Sequence, residues 1–321
     1  MTVLELAKRY IATRINVRRT TKNSYVTVIN YLKTEDMGAV QIEDVRVSDA
    51  KLWLIYLQQE KGKSYSTINS IKSVLKPAFQ MAIDDDILIK NPFAFPLSDV
   101  IINDVHSREA LTVKQMNRFL EFIENDEHYS KYYEGMYILF HTGLRISEFC
   151  GLTVKDISFK EHTIHVTHQL RYIGNTGFYI EKTKTKSGLR DIPMTPDVED
   201  CFRNILEKRT IRKPEPTVDG RKGFLFFDSR GNIMCHTNWE RYFRNAVGKY
   251  NRTHKVHLPP ITPHICRHTY CTLMAESGMN PKILQYLMGH ANITVTLNVY
   301  THVNYSNVKK EVKRITKTKQ P

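Results

Sequence analysis

The chain has 321 residues, 41% of them apolar and 25% charged, with a formal net charge of +14. That is the composition of a two-domain globular protein, and the charge favours a polyanionic partner bound in a salt-sensitive way. There is no uncharged apolar run of roughly 18 residues, Met1-Thr2-Val3-Leu4-Glu5 is not the start of a signal peptide, and five sparse cysteines (150, 201, 235, 266, 271) exclude a disulfide framework and fit a reduced, cytoplasmic chain.

The first ninety or so residues predict short amphipathic helices. Leu4, Leu6-Ala7 and Tyr10-Ile11 recur at helical spacing, as do Tyr25, Val28-Ile29 and Leu32, and then Ala50, Leu52-Trp53 and Ile55-Tyr56-Leu57. A fourth helix, capped by Ser66 or Thr67, runs through Ile71, Val74-Leu75 and Phe79 to Ile83, and Pro77 inside it predicts a kink or boundary. Asp84-Asp85-Asp86 ends that helix and faces solvent; adjacent carboxylates on one helix diverge, which disfavours a metal cluster. This stretch, 1–90, is the first expected domain. Residues 91–110, with Pro92 and Pro96 and little periodicity, are the expected linker.

A second domain, 111–303, opens with the capping-box pattern Thr112-Val113-Lys114-Gln115. A helix through Met136-Tyr137-Ile138-Leu139-Phe140 breaks at Gly143, and Arg145 begins the next. From Thr163 the period becomes two: Ile164, Val166, Phe178 and Ile180 predict a small antiparallel sheet, with a tight turn at Lys182–Gly188 before the strand Leu189-Arg190-Asp191-Ile192-Pro193. Residues 211–223 read as a loop. The fold class expected is mainly α with a small antiparallel β-sheet.

Charge is unevenly placed. There are 14 Lys and Arg against 11 Asp and Glu up to residue 101, leaving 33 against 22 beyond it. Thr262-Pro263 makes a good helix start, Thr as cap and Pro at the first position, which puts His264 and Arg267 on one face near a helix N-terminus suited to an anion. That helix ends near Ser277-Gly278. Asn280-Pro281 starts the next, Gly289 ends it, and His290 leaves its C-terminus. Thr294 caps a last short helix carrying Tyr300.

Thr142-Gly143-Leu144-Arg145-Ile146-Ser147-Glu148, then His264-x-x-Arg267-His268-Thr269, Leu287-Met288-Gly289-His290 and Tyr300-Thr301-His302 together resemble the sequence boxes of the tyrosine recombinases, the phage-integrase family. Lys184, in the hairpin before Ile192-Pro193, is similar to the family's lysine, although Lys182 and Lys186 share its side of the turn and Lys186 competes with it. Tyr133-Glu134-Gly135-Met136-Tyr137 and Tyr286-Leu287 resemble the integrases of conjugative transposons in particular.

The resemblance implies a helical core-binding domain and a catalytic domain that together clamp DNA. It also implies an integrase that cuts and rejoins DNA through a 3′-phosphotyrosine, without metal or other cofactor. Tyr300 is then the nucleophile. Arg145 and Arg267 fork onto the scissile phosphate, His264 and His290 donate to it or take the phenol proton, and Lys184 protonates the leaving 5′-oxygen. Glu148 orients a neighbouring cation. Further implications are double-stranded DNA partners at the element ends and target, a homotetramer in the synaptic complex, an accessory excision factor, and a cytoplasmic, nucleoid-associated location. Relatives of this kind carry an arm-site DNA-binding domain ahead of residue 1 that is not visible in this sequence.

Taken singly, the features have blander readings. Most tyrosines pack, Arg145 with Glu148 could be a structural ion pair, and a Lys-rich turn could be a solvated loop facing DNA. Lys63, Lys72, Lys76, Lys182 and Lys186 are candidate DNA contacts on charge. His264, Cys266, His268 and Cys271 could ligate zinc, but Arg267 shares their stripe and no CxxC pair accompanies them; Cys266 is expected to pack. Val308, Val312 and Ile315 among Lys309, Lys310, Lys313 and Arg314 predict an amphipathic tail helix over 304–321, which in the family reading docks on a neighbouring protomer. Same-chemistry and non-enzymatic alternatives are a type IB-like topoisomerase and a catalytically silent DNA-binding regulator.

Overall fold

The computed structural model describes residues 1–104, 109–174, 177–182, 186–209 and 214–300. The chain divides into two compact units, Met1–Ser107 and Arg108–Pro321. Among the described residues no helix is long and apolar enough to cross a membrane.

The first unit is built from α1 (Val3–Ala12), α2 (Arg19–Thr34), α3 (Val47–Gln59) and α4 (Tyr65–Asp84). Thr2 caps α1 through a capping box: its hydroxyl accepts from Glu5 N at 3.2 Å, and the Glu5 carboxylate accepts from Thr2 N at 2.8 Å. The cap of α4 is Ser64, two residues ahead of Ser66 and three ahead of Thr67, the two that spacing suggests; its hydroxyl accepts from Thr67 N. Pro77 neither ends nor bounds α4, which continues to Asp84. Pro removes one backbone donor, but Val74, Leu75, Ala78 and Phe79 around it are buried, and that burial carries the helix through. Asp84, Asp85 and Asp86 lie exposed at its end.

The expected linker is mostly not a linker. Phe93 is fully buried and its ring lies 5.2 Å from that of Phe79. Leu97 and Ile101 are buried in the same core. Asn91 donates to Lys76 O at 2.8 Å, and Gln58 exchanges two hydrogen bonds with the backbone of Ile102, at 2.7 and 2.9 Å. The prolines prevent a regular helix, so the segment has no period to read, yet it closes the first unit's core. The division falls at 107/108.

The second unit begins with α5 (Val113–Asn125), whose capping box joins Thr112 and Gln115 as expected. Then come α6 (Tyr133–Thr142), α7 (Ile146–Gly151), β1 (Ile157–Ser158), β2 (Thr163–Val166), β3 (His168–Ile173), β4 (Gly177–Lys182), β5 (Arg190–Pro193), α8 (Pro196–Glu207), α9 (His236–Thr253), α10 (Pro263–Glu276), α11 (Pro281–Met288) and α12 (Ile293–Tyr300). Among the described residues the expected single sheet is two: β1, β2 and β5 form one antiparallel sheet, with Ile164 opposite Ile192, and β3 pairs with β4, Leu170 opposite Ile180. Alternation fixes which face a residue takes, not which strand it pairs with, so the sequence pattern merged them.

An aromatic core of Phe119, Phe140, Phe149, Phe226, Trp239 and Phe243 surrounds α6. Gly135 makes room on α6 for the Trp239 ring from α9: a Cβ there would lie 2.3 Å from Trp239 Cη2. So α6 is gripped along its length, and its C-terminal turn at Gly143 is held in a fixed place.

If residues 91–101 are core rather than linker, Phe93→Ala should destabilise the first unit by about 3–5 kcal/mol. A position in a free linker would change stability by under about 0.5 kcal/mol. Chemical denaturation of the two chains distinguishes these.

Candidate active site

Two helix ends with left-handed glycines frame the site. Gly143 ends α6 at φ +64°, and a Cβ on it would meet Tyr270 Cδ1 at 2.6 Å and Met288 Sδ at 2.9 Å. Gly289 ends α11 at φ +61°, and its Cβ would meet Ser187 O at 2.9 Å, Arg190 Nη1 at 3.0 Å and Arg145 Nη1 at 3.1 Å. Both the backbone angle and the crowding require glycine. Each turn also leaves carbonyls that its helix cannot satisfy.

Arginines take those carbonyls. Arg145, the residue capping α7, donates from Nη2 to Gly289 O at 2.6 Å. Arg267 on α10 donates from Nη1 to Gly143 O at 2.6 Å and from Nη2 to Met288 O. Arg190, first residue of β5, donates from Nε to Leu287 O at 2.6 Å and from Nη1 to Gly188 O at 3.3 Å. Glu148 joins the set. Its Oε1 accepts from Arg145 Nη1 at 2.8 Å and Arg190 Nη1 at 3.1 Å, and its Oε2 from Arg190 Nη2 at 2.8 Å and from Arg145 N at 2.9 Å. The Glu148 and Arg190 side chains are buried, whereas that of Arg145 is 36% exposed.

The electrostatics follow from this packing. Burial alone would raise the Glu148 carboxyl, but the hydrogen bonds and charge of Arg190, with the charges of Arg145 and Arg267, hold it down at about 2. Arg267 is pressed down to about 9 by burial and then by Arg145 and Arg190, and stays protonated at neutral pH. His290 is pushed down to about 4, first by burial and then by the same three arginines. Its Nδ1 lies 2.9 Å from the hydroxyl of buried Thr296. Three guanidiniums therefore surround one carboxylate and a neutral imidazole, an excess of positive charge that fits an anion.

The structure thus brings Arg145, Glu148, Arg267 and His290 together. His264 is at the second position of α10, after the Thr262 cap and Pro263, and is exposed while Arg267 is buried. Tyr300 closes α12, and its hydroxyl donates to Met279 O at 2.6 Å in the connection between α10 and α11. Burial and then Cys271 raise its pKa above the ordinary phenol value. Asn292, not Thr294, caps α12: its side chain accepts from Thr294 N at 3.0 Å. Lys184, Thr301-His302 and the tail over 304–321 lie outside the described residues. Ser187, past the hairpin turn, reaches Gly289, so the chain leaving that turn runs against the site.

Among the lysines singled out on charge, Lys76 and Lys182 are exposed. Lys63 is half-buried with its ammonium 5.1 Å from the Tyr31 ring. Lys72 does not fit a phosphate contact. It is 8% exposed, and its ammonium donates to Phe95 O at 2.5 Å beside the Phe95 ring. Lys186 opens the short turn Lys186–Gly188. Cys266 and Cys271 are buried, Cys266 in the main core, and among the described residues no three His, Cys, Asp or Glu side chains form a metal-holding group.

Arg190 escaped the sequence reading. Its signal was present: in β5 it alternates with buried Ile192, so a charged residue stood on the buried phase of a strand.

Residues 109–307 match the phage integrase family. The whole chain is 41% identical to the transposase from transposon Tn916 of Enterococcus faecalis, across 78% of that protein. It is 26% identical to a tyrosine recombinase XerC-like protein of Caldanaerobacter subterraneus, over 85% of this chain and 71% of that protein. Among solved structures, the Tn1549 transposon integrase in complex with a circular intermediate DNA matches with a TM-score of 0.93 at 43% identity, covering 98% of this chain and 99% of that one.

The depressed His290 pKa has a measurable sign. The unfolded chain takes up its proton near 6.5 and the folded chain only near 4, so stability present above pH 6.5 is lost as the pH falls through that window. Glu148 adds a second loss between 4.5 and about 2. In thermal melts, His290→Asn should flatten the decline between pH 6.5 and 4 and leave the lower one intact; an unchanged slope in the upper window would count against a neutral, half-buried His290.

Proposed function

The chain belongs to the phage integrase family of tyrosine recombinases and is a site-specific recombinase of a mobile element, and on that premise we propose that it cuts and rejoins double-stranded DNA through Tyr300. Tyr300 Oη attacks the scissile phosphorus in line, a P–O bond to the 5′-oxygen breaks, and a 3′-phosphotyrosine and a free 5′-hydroxyl result. A 5′-hydroxyl from the partner strand then attacks the phosphotyrosine and restores the phenol. The bond energy stays in the covalent link, so no nucleotide cofactor is consumed.

The observation that carries this reading is the arginine cluster. Arg145 and Arg267 come from different helices, are anchored on the turns of Gly143, Met288 and Gly289, and retain donors beyond those contacts. A phosphate placed against them meets charge already fixed in space, which stabilises the transition state without reorganisation. His264 and His290 donate to the same oxygens or take the phenol proton, and Lys184 protonates the leaving 5′-oxygen. A neutral His290 suits the donor role at pH 7, while a pKa held near 4 makes it a weak base for the phenol proton. Tyr300 must first leave Met279 O, because a phenol already donating there cannot pass its proton to a base at the phosphate.

Two duplexes have four strands, which is the support for a homotetramer in the synaptic complex. The exchange is isoenergetic, so an accessory excision factor supplies direction. Exposed Lys76 and Lys182, with Lys63 and Lys186, contact backbone phosphates, and the tail over 304–321 docks on a neighbouring protomer.

The test uses nicked DNA from the element's end, mixed with the protein in EDTA and run on a denaturing gel. A covalent protein–DNA band is expected, absent for Tyr300→Phe and retained under chelation because the charge comes from side chains. Shifted DNA on a correct site with no covalent band would instead assign the chain to DNA binding without cleavage. Turnover on a single site, with no partner site, would favour a topoisomerase.

A further inference from the structure

We infer that Arg190 is a positioning residue for the phosphate-binding arginine, an inference that rests on the role proposed for Arg145. Its side chain is fully buried, at 0% exposure, so it does not meet the DNA itself. Its donors are distributed over three chain segments: Leu287 O at the end of α11, Gly188 O before β5, and both oxygens of Glu148 in α7. Glu148 in turn holds Arg145 twice, through Nη1 and through the backbone N.

A carboxylate with Arg145 as its one cationic partner could swing with that side chain, which is over a third exposed. The fork of Arg190 occupies both Glu148 oxygens and pins their plane, because a guanidinium is planar and rigid. The same guanidinium holds the last turn of α11, two residues before the Gly289 carbonyl that receives Arg145 Nη2. Both anchors of Arg145 therefore depend on Arg190. A lysine there keeps the charge and cannot make the fork.

The experiment measures covalent cleavage of two DNAs by the same preparation of full-length protein. One has the natural scissile phosphodiester. The other has a methylphosphonate there, in which a charged non-bridging oxygen is replaced by a methyl group. The ratio of the two rates is independent of how much protein is folded. Arg190→Lys should cleave the phosphodiester about 10–100-fold more slowly, with the ratio shifted toward the methylphosphonate, as in Arg145→Ala. Gel shift and thermal melts of Arg190→Lys accompany the rates.

A ratio for Arg190→Lys equal to that of the unsubstituted chain, while Arg145→Ala shifts it, would overturn the inference and leave Arg145 in its role. An unshifted ratio for Arg145→Ala would overturn the phosphate role of Arg145, and the inference with it. A poorly folding Arg190→Lys still reports through its ratio. If it yields no cleavage of either DNA, the pair Glu148→Leu with Arg190→Met, which removes both buried charges, replaces it. Recovered folding and phosphodiester cleavage in that pair would show the two residues to be structural only.

Discussion

The buried contact between Glu148 and Arg190 is the constraint on which the rest of the site depends. A carboxylate and a guanidinium withdrawn from water repay desolvation only if geometry and hydrogen bonding are nearly complete, and removing one partner costs about 3–5 kcal/mol. Here the geometry is complete. Glu148 accepts four hydrogen bonds, and Arg190 adds two backbone carbonyls. The pair is less a source of stability than a specification. It admits one arrangement of α7, β5 and α11, and that arrangement aims Arg145.

The second device is the use of helix C-termini as cation anchors. A helix that stops in a left-handed glycine leaves carbonyls exposed at the negative end of its dipole. At Gly143 and Gly289 these carbonyls face arginines rather than water. Arginines held this way need no further acids to keep them in place, so among the described residues the site holds three arginines against a single carboxylate. That surplus is what a phosphate would neutralise. Burial first, and then the same surplus, hold His290 neutral, since a proton there would be poorly solvated and would add to the positive charge.

How much of this was legible beforehand varied with the kind of signal. Helix boundaries marked by caps and glycines were readable, as at Thr112, Thr262, Asn280, Gly143 and Gly289, because a cap is a local event between residues a few positions apart. Arg145, Glu148, Arg267 and His290 were readable because their boxes carry them. Other features were not. Residues 91–101 have no period, so burial of Phe93 could not be inferred from spacing. The split into two sheets is a matter of long-range pairing. Arg190 was passed over because charged residues are ordinarily exposed, and its partner lies 42 positions away. Lys72 failed in the opposite sense: its charge suggested solvent, whereas a carbonyl and an aromatic ring near it in space made burial tolerable.

Tyr300 differs from the arginines in how it is held. The arginines are fixed by many bonds from several segments, so their positions are over-determined. The Tyr300 hydroxyl has a hydrogen bond to one backbone carbonyl and sits with Met274, Met279 and Val299 around a small apolar cluster of Cys271, Ala275, Leu284 and Met288. One neutral hydrogen bond is worth about 0.5–1.5 kcal/mol net, and methionine side chains repack at low cost. The charge-bearing groups are therefore preorganised, while Tyr300, the proposed nucleophile, is held by contacts weak enough to exchange. For the proposed reaction, in which the same tyrosine must attack, remain bonded to DNA and later be released, that division of rigidity is what the chemistry requires: the charge stays in place while Tyr300 moves.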